Sequence, residues 1–278
     1  MKSSRRSLDV AKPPKDPEYL STLERGLSVL RAFDEDHPEM TLTEVAVQTG
    51  LSPAVARRCL NTLVQLDYVG QHGRKFLLRP MVLAFGSAFL SSMHIEQIVV
   101  PPLQKMRDQT GDSASLSVLA GSDIVYVAHV STDRRFRLAA GVGTRYPFHA
   151  TSMGKAIAAF REAGEIDALL LVDRPRFTER TVTESAPLLD RLRLIRERGY
   201  DSALDELDYG IVSVAVPIFD RERRAVAAIN CSTSTTRISQ DELVRTRLPL
   251  LREAAEEIEA AIKRWPALLH SLQATSQR

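Results

Sequence analysis

Two short helical patterns separated by a Gly-Leu-Ser-Pro turn restrict the fold of this chain more than any other stretch. They lie in LTEVAVQTGLSPAVARRCLNTLVQLDYV, residues 42–69. Gly50 predicts the end of the first helix, because glycine readily adopts the left-handed conformation found after a helix C-terminus. Ser52 is placed to cap the second helix, and Pro53 occupies its first position, where the missing N–H is not needed. The pattern predicts two helices joined by a tight turn.

The second of these helices has two faces of different character. One carries small and apolar residues at spacings i, i+3, i+4 and i+7, which is typical of a buried stripe. The other is free of bulky side chains and rich in hydrogen-bond donors. Residues 41–80 contain five basic residues against two acidic ones, a local excess that favours a polyanionic partner. The buried face is Ala56, Cys59, Leu60 and Leu63, and the donor-rich face is Ala54, Arg57, Arg58 and Asn61.

The flanking segments complete a winged helix-turn-helix. Residues 21–24, Ser-Thr-Leu-Glu, have the form of a capping box and predict a preceding helix, with Leu23, Leu27 and Leu30 as its apolar stripe, extended by Val29 and Phe33. Residues 71–78 contain a glycine turn with two basic residues and then a short strand, so they predict a basic hairpin. In this motif one helix enters the major groove of double-stranded DNA. The predicted DNA contacts are Thr43, which we also expect to cap the helix before the turn, Ser52, Pro53, Ala54, Arg57, Arg58, Asn61, Thr62, Arg74 and Lys75.

Changes in composition and hydrophobic periodicity along the chain predict five segments. Residues 1–19 form a Lys/Arg/Pro-rich disordered tail, and residues 20–80 form the winged helix-turn-helix. Residues 81–111 form an amphipathic linker helix, which the Pro101-Pro102 pair kinks or restarts. Residues 112–264 form a second domain, and residues 265–278 form a C-terminal tail. The lack of a long apolar run predicts no membrane span, and two isolated cysteines predict reduced thiols in a cytoplasmic protein.

The second domain combines paired strands with helices. Strand patterns at 115–120 and 124–130 flank Gly121, a further strand is predicted at 136–140, and a second hairpin is predicted from 211–219 and 225–231. Helices are predicted at 151–162, 166–172, 184–198 and 239–264. Strands in hairpins with helices between them predict an α+β fold with a mainly antiparallel sheet.

A polar loop and helix start at residues 145–154 are candidates for binding a small anion. Amides at a helix N-terminus and two neighbouring hydroxyls suit a carboxylate. Arg135, Arg137 and Arg145 compete as the group that pairs with it, and a helix cap with a packed histidine is the simpler alternative. The candidate ligand-binding residues are Arg145, His149, Thr151, Ser152, Met153, Gly154, Glu206, Ser213, Asn230 and Ser232.

The order of motifs along the chain resembles that of the isocitrate lyase regulator (IclR) family of bacterial transcription factors. The resemblance runs from Leu20 to about Arg264 and includes TLERGL at 22–27, LTEVA at 42–46, TGLS at 49–52, RKFLLRP at 74–80, IVYVA at 124–128, ATSMGKA at 150–156, RGY at 198–200 and VPI at 216–218. Within the family the chain is most similar to the branch that governs aromatic-acid catabolism through the β-ketoadipate pathway. ARR at 56–58, TSMG at 151–154, RTVT at 180–183 and DELDYG at 205–210 carry that likeness.

The resemblance implies a winged helix-turn-helix, an effector domain related to GAF and PAS sheets, and dimers or tetramers on operator DNA. It implies a small carboxylic acid as the effector, of the protocatechuate, hydroxybenzoate or ketoadipate type. Asp201-Ser202-Ala203 and Ser213 depart from the residues common at these positions in relatives, which leaves the identity of the acid open. No dinucleotide loop, nucleophile elbow or metal-ligand spacing is present, so neither a cofactor nor a metal is predicted. The alternatives are a sensor whose winged helix binds protein and, less favoured, an enzyme acting on the acid.

Overall fold

The computed structural model describes residues 18–132 and 140–272 of the 278-residue chain. These residues form two compact units that divide between Ala88 and Phe89. In the part of the chain so described, no helix is long and apolar enough to cross a bilayer.

Three helices form the first unit: α1 (Ser21–Arg31), α2 (Leu42–Thr49) and α3 (Pro53–Gln65). Gly50 adopts φ +67° and ends α2, and the Ser52 hydroxyl accepts the amide N–H of Val55 at the start of α3, both as predicted. The cap of α2 is Thr41 and not Thr43. Thr41 lies three residues before Glu44, which is the spacing that lets each side chain accept the other residue's backbone N–H.

The predicted first helix is present as α1, but its capping box and part of its apolar stripe are not as predicted. The helix begins at Ser21 after Leu20, whose side chain cannot cap, so no capping box forms at residues 21–24. Leu23 is 60% exposed and Leu27 is 41% exposed, whereas Val29 and Phe33 are buried. Val29, Phe33 and the partly buried Leu30 therefore contact the core of this unit, whereas Leu23 and Leu27 lie on the exposed side of the helix.

A three-stranded antiparallel sheet completes the first unit. Its strands are β1 (Glu39–Thr41), β2 (Val69–His72) and β3 (Lys75–Leu78), in the order β1-β3-β2. The predicted hairpin is β2–β3, and β1 is an addition that brings Met40 into the core opposite Phe76.

Residues 80–110 form a 3-10 turn (Pro80–Val82) and three helices, where two helical pieces were predicted. These are α4 (Leu83–Ser92), α5 (Ile95–Ile98) and α6 (Val100–Thr110). The proline pair lies in the first turn of α6, and Gly111 ends that helix at φ +66°. The predicted apolar positions of this stretch are buried in the core of the second unit, so α5 and α6 belong to that unit's packing. These are Ile95, Ile98, Val99, Leu103 and Met106.

The second unit is built on a six-stranded antiparallel sheet in the order β6-β5-β4-β9-β8-β7. The strands are β4 (Ser113–Ala120), β5 (Asp123–Val130), β6 (Arg145–Pro147), β7 (Asp201–Leu204), β8 (Ile211–Phe219) and β9 (Ala225–Ser234). Both predicted hairpins, β4–β5 and β8–β9, are present. The predicted α+β class with an antiparallel sheet is confirmed.

Helices cover both faces of this sheet. On one face α6 and α10 (Gln240–Ile262) pack on the strands, and α11 (Pro266–Leu272) joins the same core. On the other face α7 (Ser152–Ala158), α8 (Ala163–Leu171) and α9 (Ser185–Arg198) enclose a second core. Strands β4 and β9 therefore contribute alternate residues to two separate interiors.

Three short elements of this unit were missed, and one predicted strand cannot be compared. β6 lies in the polar loop predicted before residue 150, β7 lies in a stretch for which no element was predicted, and α11 lies in the predicted C-terminal tail, with Leu268 and Leu272 buried. The predicted helix at 151–162 is shorter, because Thr151 caps α7 and the helix ends at Ala158. The predicted strand at 136–140 lies outside the described residues except for Ala140.

Candidate functional site

The donor-rich face of α3 is exposed along its whole length. Arg57, Arg58 and Asn61 point away from the core, while Ala56, Cys59, Leu60 and Leu63 are buried as predicted. Neither arginine forms an ion pair or side-chain hydrogen bond with residues 18–132 or 140–272. Ser52, Pro53, Ala54 and Thr62 lie on the exposed surface of the same helix, and the Thr62 hydroxyl donates to the Arg58 carbonyl at 3.0 Å.

The β2–β3 hairpin beside α3 is less positively charged than its sequence suggests. Gly73 forms the turn at φ +61°, and Arg74 is exposed there. The Lys75 ammonium is paired with Glu39 on β1, and the Arg79 guanidinium lies 3.1 Å from Asp67. Arg74 is therefore the predicted hairpin contact that keeps an unpaired charge, within the described part of the unit. Thr43 is exposed in the first turn of α2, although it does not cap the helix.

This arrangement suits the major groove of a DNA duplex. A groove accepts one α-helix, and guanidinium or amide side chains on that helix can reach base edges. An arginine can hold a guanine at two atoms, and an asparagine can do the same for an adenine. Two adjacent arginines and an asparagine one turn later have the composition and exposure that such contacts require.

A cavity of about 280 Å³ lies in the second unit, on the α7 side of the sheet. It is close to the lower end of the volumes usual for small-molecule sites, so it fits a compact ligand. Its lining crosses the sheet from Tyr146 on β6 to Ala203 on β7. The other lining residues are Ser113, Tyr126, His129, Ser131, Thr132, Ala140, Ala150, Thr151, Glu206, Leu207, Ile211, Ser213, Asn230, Ser232 and Thr233.

The central strands present a polar face beneath this cavity. Ser113, Ser115 and Ser117 alternate along β4, and Ser113 and Ser115 lie opposite Ser232 and Asn230 of β9. All five are buried or nearly so. Burying polar groups is unfavourable unless they find hydrogen-bond partners, so such a face indicates a polar occupant or a network. The Ser-Ala-Ser-Leu-Ser alternation at residues 113–117 is the sequence signal for this polar face.

A buried ion-pair cluster forms one end of the cavity. The Lys155 side chain is fully buried in α7, and its Nζ lies 2.5 Å from Glu206 Oε2 and 3.5 Å from Asp201 Oδ2. Asp201 Oδ1 is also held by Arg191 at 2.7 Å and by Arg198 at 3.1 Å. The contact with Lys155 thus fixes the carboxylate of Glu206, a residue of the cavity lining.

The loop that carries Glu206 is held by two threonine hydroxyls. Thr178 donates to the Asp205 carbonyl at 2.5 Å, and Thr181 donates to the Glu206 carbonyl at 2.7 Å. Asp205 itself has φ +58° and accepts the Gly210 amide N–H at 2.7 Å. These contacts fix the main chain on both sides of the glutamate.

The opposite end of the cavity is aromatic and lacks charge at neutral pH. Tyr126 and Tyr146 meet edge to face at 5.8 Å between ring centroids, and the His129 ring lies 6.2 Å from Tyr126. Burial lowers the pKa of His129 below its usual value of 6.5, and burial with a minor contribution from Tyr146 raises the pKa of Tyr126. At pH 7 both therefore act as neutral hydrogen-bonding groups.

Half of the predicted ligand-binding residues line the cavity. These are Thr151, Glu206, Ser213, Asn230 and Ser232. Ser152 lies just behind them, where its hydroxyl is 2.8 Å from that of Ser213, and Met153 accepts a hydrogen bond from Ser117 at 3.3 Å. His149 is buried against the Pro175 carbonyl at 3.1 Å, which matches the packed-histidine alternative. Gly154 has a packing role, because its backbone lies directly against Phe148.

Arg145 does not line the cavity, contrary to the prediction. It lies on edge strand β6 with its side chain half exposed, where Nη2 donates to Asp123 and to the Ala120 carbonyl, both at 3.2 Å. Residues alternate between the two faces of a strand, and Tyr146 takes the cavity side here. Arg135 and Arg137, the other two candidates for pairing with a carboxylate, lie outside the described residues.

The described residues of this unit show no arrangement typical of a catalytic site. Ser115 Oγ lies 2.9 Å from His129 Nδ1, but Ser115 is buried and does not line the cavity. No group of three His, Cys, Asp or Glu residues in those ranges is placed to hold a metal. Both cysteines are buried and free, and burial raises the pKa of the Cys231 thiol to about 12.

Comparison with known proteins finds a family model for each part of the chain. Residues 22–73 match the IclR helix-turn-helix domain, and residues 87–260 match the bacterial transcriptional regulator IclR C-terminal domain. The chain is 34% identical to the Pca regulon regulatory protein of Pseudomonas putida, over 87% of this chain and 84% of that one. It is 33% identical to the p-hydroxybenzoate hydroxylase transcriptional activator of Acinetobacter baylyi, over 87% and 91%.

A solved structure resembles the second unit. It is a double mutant of the inducer-binding domain of the PobR transcription factor from Acinetobacter, in complex with 3-hydroxybenzoic acid. Identity is 29%, coverage is 57% of this chain and 93% of that one, and the TM-score is 0.53.

The relatives are regulators, so the alternative of an enzyme is set aside, and they support the predicted aromatic-acid branch. With a helix-turn-helix model and an effector-domain model that match in the expected order, the chain belongs to the IclR family of bacterial transcriptional regulators.

Proposed function

We propose that this regulator, acting in the cytoplasm, controls genes for the catabolism of an aromatic acid and that the acid binds in the cavity of the second unit. The observation that carries the proposal is the cavity itself, which is small, has aromatic rings at one end and is lined by hydroxyls along the sheet. A single-ring acid needs this combination of a flat apolar wall and convergent polar groups. The names and ligand of the relatives described above support the same class of effector.

The exposed face of α3 is proposed to read operator DNA. Arg57, Arg58 and Asn61 would contact base edges, and the capped N-terminus at Ser52 with Arg74 on the hairpin would contact phosphates. Lys75 would have to leave Glu39 to make a phosphate contact, so its contribution is expected to be smaller.

We further propose that the protein binds its operator as a dimer or a pair of dimers. Leu20, Leu23 and Leu27 form an exposed apolar stripe on and before α1, and Leu83 and Phe85 are exposed at the start of α4. Exposed apolar side chains grouped in this way on a helix indicate a protein–protein contact. A second copy is the natural occupant, because helix-turn-helix dimers place two recognition helices in half-sites about 34 Å apart.

We propose that effector binding changes the position of the DNA-binding unit through the sheet and the helices of residues 81–111. The strands that border the cavity bury their other face against α5 and α6, through Leu116, Leu103 and Met106 among others. An acid that fits one position of these strands better than another would shift α5 and α6, and with them α4. A ligand alters DNA binding only to the extent that it distinguishes two such arrangements.

Reversing the charge of both arginines on α3 tests the DNA-binding proposal. The Arg57→Glu/Arg58→Glu variant is expected to bind a duplex, enriched by the wild-type protein from a randomised pool, about 100-fold or more weakly. Each lost base contact costs about 1–3 kcal/mol, and the reversed charges repel phosphates. Fluorescence anisotropy at several salt concentrations measures the affinity and its salt dependence.

The matched control is Arg193→Glu/Arg245→Glu, which makes the same change of charge at two equally exposed arginines of the second unit. Its affinity is expected to stay close to that of the wild-type protein. Equal affinities of the two double variants would remove α3 from the interface. Such a result would favour the alternative in which the winged helix contacts another protein.

A further inference from the structure

The charge of the cavity lining raises a question about an acidic effector. Among the lining residues that the structure describes, Glu206 is the one carboxylate, and none is a lysine or an arginine. Two carboxylates brought together in a partly dehydrated site repel each other strongly. An acid bound in this cavity must therefore place its own carboxylate away from Glu206.

The aromatic donors of the cavity lie at its other end. Tyr126 and His129 are on β5, whereas Glu206 follows β7, and three strands separate β5 from β7 in the sheet. A carboxylate at the β5 end can accept hydrogen bonds from the Tyr126 phenol and the imidazole N–H. The aromatic rings there would also pack on the ring of the ligand.

Two residues of the cavity lining have acceptors with no donor among the described residues. Lys155 donates to Glu206 Oε2, and no described residue donates to Oε1. Asn230 Oδ1, on the central strand β9, is buried and has no hydrogen-bond partner in the described part of the chain. A ligand that brings a donor to the Glu206 end gains an interaction with Oε1 that an unsubstituted ring lacks.

Building on the proposed function, we propose that the effector carries a hydrogen-bond donor at the end opposite its carboxylate, and that Glu206 accepts it and selects for it. A hydroxyl at the para position of a benzoate is the simplest such donor. Lys155 is a positioning residue, because it fixes Glu206 from the buried side without reaching the cavity wall. The Glu206 carboxylate thus makes the cavity favour hydroxylated aromatic acids over benzoate.

Calorimetric titration of the full-length protein with a matched series of acids tests this assignment. The series is 4-hydroxybenzoate, benzoate and 4-methoxybenzoate, in which the methoxy compound keeps a para oxygen but cannot donate. The wild-type protein is expected to bind 4-hydroxybenzoate about 10- to 100-fold more tightly than either of the others, which is the usual effect of one hydrogen bond to a charged group. In Glu206→Gln the ratio of the affinity for 4-hydroxybenzoate to that for benzoate is expected to be smaller than in the wild-type protein.

Asp208→Asn is the matched control, because it makes the same carboxylate-to-amide change in the same loop at a residue that does not line the cavity. This variant should prefer 4-hydroxybenzoate over benzoate by the same ratio of affinities as the wild-type protein.

If the wild-type protein binds benzoate with an affinity within about 3-fold of that for 4-hydroxybenzoate, the inference is overturned and the proposed effector class still stands. An undiminished preference in Glu206→Gln would overturn the role of Glu206. Failure of all three acids to bind would overturn the proposed effector class itself, and the wild-type series decides these points even if Glu206→Gln does not fold.

Discussion

Replacing Lys155 by methionine is expected to lower the free energy of unfolding of the second unit by about 3–5 kcal/mol, the usual loss when one partner of a buried ion pair is removed. Lys155 is fully buried, and its Nζ lies 2.5 Å from Glu206 Oε2 and 3.5 Å from Asp201 Oδ2. Asp201 keeps Arg191 and Arg198, but the Glu206 carboxylate loses its ion-pair partner. Urea unfolding followed by the fluorescence of Trp265, the single tryptophan, measures the change in this unit.

Two comparisons separate the buried pair from a general effect of losing a lysine. Lys105→Met removes an ion pair with Glu253 that is half exposed, at 2.6 Å, and should leave the unfolding curve nearly unchanged, because exposed pairs contribute little. Lys155→Met/Glu206→Leu removes both buried charges, so it should be more stable than Lys155→Met alone. If Lys155→Met lowers the free energy of unfolding by less than about 1 kcal/mol, the description of Lys155 and Glu206 as a buried ion pair is contradicted.

Gly154→Ala is expected to destabilise the second unit by about 3 kcal/mol or more, because overpacking against backbone cannot be relieved by a change of rotamer. A Cβ atom at this position would lie 2.4 Å from both Cα and O of Phe148, and no real contact is that short. The turn at 148–150 and the start of α7 would have to move apart. Since Thr151 lies between them and lines the cavity, affinity for the acid should fall as well.

Gly164→Ala in α8 is the matched control. A Cβ there meets nothing within 4 Å, so the helix should become more stable by up to about 1 kcal/mol through the loss of glycine's flexibility. The same urea titrations measure both variants. Equal stability of Gly154→Ala and the wild-type protein would show that the close approach of α7 to Phe148 is not as tight as described.

The DNA-binding unit was largely predictable from the sequence, because its signals are local. The turn at Gly50, the cap at Ser52 and the two faces of α3 depend on spacings of a few residues, and all three are as predicted. Thr41 and β1 were missed for different reasons. The Thr41–Glu44 capping spacing was present but overlooked, whereas a three-residue strand has no pattern of its own and exists because β3 is there to pair with it.

The ligand cavity was only partly predictable, because it is assembled from segments far apart in the chain. Hydroxyls and amides near the second hairpin were identified, but their neighbours on β4 and β5 could be placed beside them only through the sheet order. Lys155 lies in a helix whose pattern gives no reason to bury a lysine, and its partner Glu206 is 51 residues away. The face taken by Arg145 depended on β6, a strand of three residues that the sequence does not signal.

The central claim is that binding of an acid in the cavity changes the affinity with which α3 binds operator DNA. The affinity of the wild-type protein for its selected duplex, measured by anisotropy with and without saturating 4-hydroxybenzoate, tests it most directly. We expect a change of about 5-fold or more, and the affinity for the acid should change by the same factor when the duplex is present, because such coupling is reciprocal. If the acid binds in the cavity and the affinity for the duplex stays the same, the claim is contradicted.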